Sequence, residues 1–388
     1  MHLLHGRYDI ALPCLGELAR YNYVVHSAID GAVPCRIWVD DTEEPRLALL
    51  WDMTSCSGIY VEGECTTETV EAVARVIREE IYPEARQNEE MKDFALCFSP
   101  GVWEEALMRP LSDLNLMVNS RKFLTFDKGT NTLQDWRHHV PPGTHLLKVD
   151  AASDILETDL ENVERLAYEL EACRDGFGCC LMDQDRVLSW CTSDWQGGKH
   201  VEIHVRTDPD HQGKGYGTLV AAAMVEHALE RGFEHIGWHC WNGNTASERT
   251  ALKAGFTLER EHPVIHAWFK ELDNLLVNAN FHLEHGQYSI ASKFLDDAGT
   301  MIEKGRKRDL AKRSDLPVEV LRRWRLMLKA RVDLGCHHFS EVRRSLMTII
   351  DIGCDAYGIM ASLDEEDGFE EFMASDDGKA VLRRIEGI

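Results

Sequence analysis

The chain has 388 residues, enough for about two or three domains, and its 44% hydrophobic content is sufficient for a sizeable core. A net charge of −24 argues against a nucleic-acid or anionic-membrane binder and weakly favours a cationic substrate such as an amine. The 12 cysteines are scattered without a Cys-x-x-Cys pair, which indicates reduced, mostly buried thiols in a cytoplasmic protein. The N-terminus lacks a signal-peptide core, and no window approaches about 18 apolar residues, so no membrane segment is expected.

Residues 1–140 mix strand and helix patterns. We predict strands over 35–40 and 47–51, a helix over 66–80, a strand over 94–98 and a helix over 102–108. No glycine-rich anion loop follows any of these strands. This part of the chain is therefore expected to have no cofactor site of its own.

Pro141-Pro142-Gly143 is the predicted start of a second segment, 141–270. It contains a strand at 146–149, an amphipathic helix at 159–173 and a hairpin with strands at 177–182 and 186–191. A strand at 235–240 should run parallel to the strand at 201–207 if the helix between them is a crossover. Thr245-Ala246-Ser247-Glu248 matches a capping box for the following helix.

The central motif of this segment is a strand, a glycine-rich turn and a helix. The strand Val201–Thr207 is followed by Gln212-Gly213-Lys214-Gly215-Tyr216-Gly217, and the helix from Thr218 stops at Gly232. Unpaired amides at a helix N-terminus favour an anion, and glycines allow a phosphate to approach the backbone. The motif alone fits either a phosphorylated cofactor or an ordinary turn, and it is neither a Walker A loop nor Gly-x-Gly-x-x-Gly.

A second motif lies one helix and one strand later, at Trp238-His239-Cys240-Trp241-Asn242-Gly243-Asn244 and Ala254-Gly255-Phe256. Together with Gln212-x-x-Gly215-x-Gly217 it resembles the GCN5-related N-acetyltransferases (GNAT), in a branch with a degenerate N-terminal half. The resemblance is strong over about 141–265 and weaker over 1–140. It implies an α/β (α+β) fold with a mixed central sheet, helices on both faces and tandem halves.

The resemblance also implies acetyl-coenzyme A as cosubstrate. The loop amides would bind the pyrophosphate, the edge of the Val201 strand would bond the pantetheine, and Asn244 would contact the pantetheine or simply cap its helix. The residues implied in this binding are Val205, Arg206, Thr207, Gln212, Gly213, Lys214, Gly215, Tyr216, Gly217, Thr218 and Asn244. Many relatives have a general-acid Tyr four residues before the Gly-Phe pair, but Ala251 stands there in this chain.

Amine acetylation needs a base, because an alkylammonium must lose a proton before it attacks. Glu202 is the first candidate and His204 the second. Strand alternation places Glu202, His204 and Arg206 on one face, which should line the cleft, and Ile203 and Val205 on the other. Glu202 could instead only pair with Arg206 or His204. His239 and Cys240 point to opposite faces, so no metal site is expected.

From about residue 271 the chain reads as all helical. We predict helices over 271–283, 288–304, 317–334 and 339–352, with Pro317 as a first helical residue. Two similar junctions, at Gly286 and Gly335, resemble tetratricopeptide-type repeats, with a plain helical bundle as the alternative. Basic residues cluster over 304–313 and 322–325 and could pair with nearby acids, contact a protein partner or dock on Asp364–Asp367.

The predicted organisation is thus a degenerate half (1–140), a catalytic half (141–270) and a helical domain (271–388). The expected function is acetyl transfer from acetyl-coenzyme A to a primary amine by direct attack, with a small-molecule amine as first choice and a peptide N-terminus or lysine as second. The acceptor cleft should lie between the two halves. A non-catalytic acyl-coenzyme A-binding protein that recruits a partner through the helical domain is the main alternative. A tandem-half enzyme transferring another acyl group ranks last, because it would not need the phosphate loop.

Overall fold

The computed structural model describes residues 1–54, 57–184 and 186–387. Within them the chain forms two compact units. The first consists of Met1–Ala85, Asp93–Ser112 and Val118–His266, and the second of Arg86–Lys92, Asp113–Met117 and Ala267–Ile388. Most of both halves predicted on either side of residue 141 lies in the first unit, whereas residues 86–92, 113–117 and 267–270 belong to the second, and the boundary between the halves stays a prediction.

A mixed sheet runs through the first unit, and twelve strands can be assigned to it in the described residues. In chain order they are β1 (His2–Leu3), β2 (Cys35–Val39), β3 (Leu47–Asp52), β4 (Ile59–Gly63), β5 (Asp93–Phe98), β6 (Met117–Asp127), β7 (His145–Asp150), β8 (Phe177–Met182), β9 (Val187–Gly197), β10 (His200–Thr207), β11 (His235–Trp241) and β12 (Thr257–Trp268). Their order across the sheet is β1-β2-β3-β4-β5-β12-β6-β11-β10-β9-β8-β7. The pairs β4/β5 and β10/β11 are parallel, as predicted for the latter.

Helices pack on both faces of this sheet. Those of the first unit are α1 (Leu12–Ala19), α2 (Val24–Ile29), α3 (Thr67–Val76), α4 (Tyr82–Ala85), α5 (Val102–Met108), α6 (Val163–Glu171), α7 (Tyr216–Glu230) and α8 (Thr245–Lys253). The two sides are clear at β8 and β9. Cys179 and Cys191 face the core that contains α7, whereas Cys180 and Trp190 face the core that contains α6, because neighbouring strand residues point to opposite faces.

Each predicted half contributes one strand that lies next to strands of the other half. β6 precedes residue 141 but pairs antiparallel with β11, and β12 comes after residue 141 but lies between β5 and β6. The helix α2 similarly packs against β9, where Gly197 allows close backbone approach to His26. The two halves therefore share one continuous sheet.

Most predicted elements of the first unit are present, with shifted ends. The helix predicted over 66–80 is α3 followed by a π-helical turn at Ile77–Ile81, and the helix predicted from 159 begins only at Val163. Thr66 caps α3 with a full capping box. The sequence patterns did not reveal β1, β4, β6, β12, α1 and α2.

The second unit is helical. Its helices are α9 (Glu271–Glu284), α10 (Tyr288–Lys304), α11 (Lys307–Leu310), α12 (Val318–Gly335), α13 (Phe339–Asp351), α14 (Ala356–Ala361), α15 (Phe369–Ala374) and α16 (Asp376–Glu386). The four predicted helices correspond to α9, α10, α12 and α13. Pro317 is the residue before α12 and not its first helical residue, which corrects that prediction by one position.

Where the structure assigns a partner to the acidic run at residues 364–367, that partner lies outside the basic cluster of residues 304–313 and 322–325. Glu366 accepts from Arg331, which lies outside the cluster, at 2.5 Å. Within the cluster, Arg313 pairs with Glu271 and the Nε of Arg325 donates to the Leu295 carbonyl oxygen. These two arginines therefore donate to a nearby acidic side chain and to a helix carbonyl oxygen, and not to the acidic run.

In the part of the chain that is described, no helix is long and apolar enough to cross a membrane. The described cysteines are unbridged, and Cys97, Cys179, Cys180 and Cys191 are buried as predicted. No group of three metal-ligating side chains is found within the same residues.

Candidate active site

A cleft opens where two parallel strands diverge. β10 and β11 pair from His200 to Glu202 and from His235 to Gly237, and the pairing then ends. Beyond this point both strands line a cleft of about 710 Å³. β10 remains paired with β9 as far as Thr207, so only its β11-facing edge is left without a strand partner. That edge can hydrogen-bond an extended ligand.

The glycine loop forms one end of the cleft. Gly213 and Gly215 have φ angles of 75° and 84°, which favour glycine, and Gly215 is the N-cap of α7 without a capping side chain. A Cβ on Gly217 would lie 3.2 Å from Thr207 Oγ1. The first-turn amides of α7 are therefore open to an anion at the cleft.

The predicted cofactor residues mostly meet here. The cleft is lined by Val205, Thr207, Gln212, Gly213, Gly215, Tyr216, Gly217, Thr218 and Asn244. Lys214 lines a neighbouring cavity of about 340 Å³ instead, and its Nζ donates to the Asp210 carbonyl oxygen at 3.1 Å. Arg206 points away from the cleft, with its Nε 2.9 Å from Glu169 Oε1.

Helix α8 forms the opposite wall. Its N-cap is Asn244, whose Oδ1 accepts from the Ser247 amide at 3.1 Å, so the predicted capping box starting at Thr245 is wrong by one residue. The Ser247 hydroxyl oxygen instead accepts from Trp238 Nε1 at 2.9 Å. Two cations of α8 that were not assigned to cofactor binding from the sequence, Arg249 and Lys253, also line the cleft.

The cleft is lined by His239, whereas Glu202 is buried where the strands separate, is not among the lining residues and has a partner that was not predicted. Its Oε1 accepts a hydrogen bond from Nδ1 of His239 on β11 at 2.7 Å, and both side chains are only 3% exposed. In the described residues Glu202 pairs with His239, and not with His204 or Arg206, the two partners considered from the sequence. The sequence analysis considered His239 only as a metal ligand. The predicted parallel pairing of β10 and β11 was the signal from which the proximity of His239 to Glu202 could have been inferred.

Burial shapes the charge state of this pair. It raises the pKa of Glu202 to about 7, partly opposed by the positive charge of Arg121. It holds the pKa of His239 well below the usual range, helped by the same arginine. A neutral imidazole that donates through Nδ1 therefore faces a carboxyl group that can gain or lose a proton near neutral pH.

The second candidate base, His204, also lines the cleft. Its side chain is 39% exposed, its Nδ1 lies 3.9 Å from Asp194 Oδ2 and its Nε2 lies 3.4 Å from an Arg206 nitrogen. Ile203 and Val205 pack in the core beside α7, as strand alternation predicts. Ala251, where a tyrosine acid would stand, is fully buried.

Comparisons with known proteins identify the family of this chain. The profile of the GNAT acetyltransferase family matches residues 15–265, which include both predicted halves. The uncharacterized N-acetyltransferase YdfB of Bacillus subtilis (strain 168) is 25% identical over 248 residues, covering 63% of this chain and 89% of its own.

Two solved structures are also similar. A GCN5-related N-acetyltransferase-like protein from Streptococcus suis 89/1591 is 18% identical with a TM-score of 0.46, over 66% of this chain and 98% of its own. A tandem GNAT protein from the clavulanic acid biosynthesis pathway is 11% identical with a TM-score of 0.43, over 69% and 98%.

Proposed function

Because this chain belongs to the GNAT acetyltransferase family, we propose that it transfers an acetyl group from acetyl-coenzyme A to the nitrogen of a primary amine, a small-molecule amine in first place. One observation carries the proposal. One cleft is lined both by the glycine loop of α7 and by His239, which is hydrogen-bonded to the buried Glu202. The cleft can therefore bind the donor and deprotonate the acceptor at the same place.

The residues present fit the coenzyme. The amides from Gly213 to Thr218 bind the pyrophosphate, and the lack of a Cβ at Gly217 keeps that approach open beside Thr207. Arg249 and Lys253 add positive charge along the same cleft. The free edge of β10 from Val205 to Thr207 bonds the pantetheine amides, and Asn244 lies beside it.

Glu202 acts as the general base. It takes the proton that the acceptor ammonium must lose, directly or through a water molecule, and a pKa of about 7 suits that task at neutral pH. Backbone amides on the free β10 edge stabilise the charge that develops on the acetyl oxygen. The new N–C bond forms as the C–S bond breaks, and the thiolate takes its proton from water, since Ala251 offers none.

The helical unit belongs to the same proposal as a partner-binding module of tetratricopeptide type. Its support is the repeated arrangement of α9 with α10 and α12 with α13, two helix pairs joined by the short turns at Gly286 and His337. A protein partner on this unit is compatible with a small-molecule acceptor in the cleft.

The test is a calorimetric titration of the full chain with acetyl-coenzyme A and with pantetheine lacking the phosphates, for the wild type and a Gly215→Glu variant. We expect micromolar binding of acetyl-coenzyme A that needs the phosphates and weakens about tenfold or more in the variant, because a carboxylate would occupy the anion site. Release of free thiol on addition of an amine panel then tests transfer.

Gly232→Glu is the matched control. Gly232 has a φ of 95°, nothing lies within 4 Å of the place that a Cβ would take, and it follows the far end of α7, about 22 Å from the loop. The substitution brings the same backbone strain and the same added charge away from the cleft. Absence of acetyl-coenzyme A binding by the wild type would contradict the proposal.

A further inference from the structure

Arg121 is a cation of the cleft whose guanidinium has no side-chain hydrogen bond or ion pair within the described residues. It lies on β6 opposite Trp241 of β11 and lines the cleft beside His204 and His239. Its Nε is buried and makes no hydrogen bond, and no carboxylate oxygen in the described residues comes within 4.0 Å of its guanidinium. The ring of Trp241 packs against it, with 5.4 Å from the guanidinium carbon to the ring centroid.

An arginine in this environment is expected to bind an anionic ligand. A guanidinium keeps its proton at any pH at which proteins fold, so it cannot escape burial by becoming neutral. The buried carboxyl groups of Glu202 and Asp194 feel the charge of Arg121, but in the described residues neither forms an ion pair with its guanidinium, so an incoming oxyanion can take the hydrogen bonds that the guanidinium offers. The contact with Trp241 limits the orientation of the planar fork, which is built to bind an oxyanion through two parallel hydrogen bonds.

The position of Arg121 separates it from the phosphate loop. Leu124 and Phe126 of β6 face the core that contains α7, and Lys122 on the same side pairs with Glu248 of α8 at 2.8 Å. Arg121 and Phe123 alternate to the opposite face. The ring of Phe123 there lies 4.8 Å from the ring of His239, so Arg121 belongs to the side of the sheet that holds the catalytic pair.

Other cations near this face already have partners. Arg206 is bound to Glu169 at 2.9 Å, and Arg260 is bound to Glu17 at 3.2 Å. The charge of Arg121 acts on both Glu202 and His239. An anion held by Arg121 would thus lie close to the proton-accepting carboxyl group, where the acceptor must bind.

We infer that Arg121 binds an acidic oxyanion of the acceptor, so that the acceptor is an amine that also carries a carboxylate or a phosphate. The inference rests on the proposed function, because it names the substrate class of the same site. Arg121 holds the acid group while Glu202 receives the ammonium proton. Arg121 is then the residue that distinguishes acidic amines from neutral ones.

The experiment measures kcat/KM by thiol release for matched acceptors. The panel contains the standard amino acids against their carboxamides, and phosphoethanolamine against ethanolamine. The wild type should prefer the acidic member, and the amino-acid and phosphate arms identify which oxyanion is bound. In Arg121→Gln this preference should fall by about tenfold to hundredfold through KM, while the dissociation constant of acetyl-coenzyme A stays within about twofold. Arg121→Lys should restore part of it.

Lys122→Gln is the matched control, because it removes a cation from the next position of the same strand on the other face. Its acid-to-neutral ratio should equal that of the wild type. A wild type that favours neutral acceptors, acetylates no acidic one, or keeps its preference in Arg121→Gln would overturn the inference, as would loss of acetyl-coenzyme A binding in that variant. Failure of the wild type to bind acetyl-coenzyme A would instead contradict the proposed function.

Discussion

The buried carboxyl group of Glu202 makes a direct prediction about pH. Burial raises the pKa of Glu202 to about 7, so the base becomes available only as the pH rises through that value. We expect kcat/KM to rise along a single limb near pH 7. Glu202→Gln should lower kcat by about a hundredfold to ten-thousandfold and remove that limb, with binding of acetyl-coenzyme A retained. Steady-state rates between pH 5.5 and 9 measure this.

His204→Gln is the comparison that separates the two candidate bases. His204 lines the cleft, and its half-exposed side chain lies beside Asp194 and Arg206. If the limb and most of the rate survive in His204→Gln but not in Glu202→Gln, Glu202 is the base. The reverse result would assign the role to His204.

His239 is predicted to act through Glu202, as a positioning residue. Its Nδ1–H donates to the carboxyl oxygen, and a hydrogen bond to the charged form lowers the pKa of a carboxyl group. His239→Phe removes the donor but keeps a ring against Phe123. The limb should therefore move to higher pH, with the rate recovering at a higher pH than in the wild type.

His262→Phe serves as control for that variant. The His262 ring packs edge-on against His239 at 5.6 Å but gives no hydrogen bond to Glu202 in the described residues. The pH limb of kcat/KM for His262→Phe should coincide with that of the wild type. An unchanged limb in His239→Phe would show that the hydrogen bond does not tune Glu202.

At the scale of elements, the contact between α2 and β9 depends on one glycine. A Cβ on Gly197 would lie 2.6 Å from the carbonyl carbon of His26 and 2.8 Å from the Ser27 amide nitrogen, both backbone atoms that cannot rotate away. Gly197→Ala should therefore lower the free energy of unfolding by about 1–3 kcal/mol. Urea unfolding followed by circular dichroism measures the change.

Gly16→Ala in α1 is the matched substitution, because nothing lies within 4 Å of its Cβ position and alanine favours a helix over glycine. It should be neutral or slightly stabilising. Equal destabilisation by both substitutions would mean that the approach of α2 to β9 is not what Gly197 permits.

The missed elements have identifiable sequence causes. Pro13 and Gly16 interrupt the helical pattern of α1, and Pro263 interrupts the strand pattern of β12. The first half of β6 contains Asn119, Ser120 and Arg121, which hide its strand character. Packing against neighbouring elements overrides these local signals. By contrast, the helix at Val102–Met108 and the strand pair β2 and β3 carry uninterrupted patterns and were predicted correctly.

At the scale of the whole first unit, a stack of histidines joins α2 to the sheet. The rings of His26 and His200 are parallel at 4.2 Å, and those of His200 and His235 lie at 4.7 Å. Burial, then the two neighbouring imidazoles, lowers the pKa of His200 to about 4, whereas an unfolded histidine has a pKa of about 6.5. Between these values the unfolded chain binds more protons, so stability falls as the pH drops through this window.

The measurement is the urea midpoint of the wild type and His200→Gln at pH 7.5 and pH 5. The wild type should lose more stability than the variant over this interval, because the variant cannot bind the extra proton. His235 also contacts Asp127, at 2.5 Å, and remains in both proteins. Parallel losses in the two proteins would assign the pH sensitivity to other groups.

The predicted fold class is confirmed at this scale. The chain has the GNAT fold with a mixed central sheet, helices on both faces, tandem halves and an all-helical C-terminal region. The exchange of β6 and β12 between the halves was not predicted. Strands far apart in the chain pair because exposed sheet edges have unpaired backbone groups, and the local sequence does not show which strand will pair with which edge.

The sequence by itself determined the strand, the glycine loop and the helix of the central motif, because positive φ angles and helix starts depend on neighbouring residues. It also determined which face of β10 is apolar. Only the tertiary structure decided what surrounds Glu202. His239 reaches its carboxyl group from β11. Burial of Glu202 raises the pKa of that group and the charge of Arg121 on β6 lowers it, and both effects arise only when the sheet is assembled.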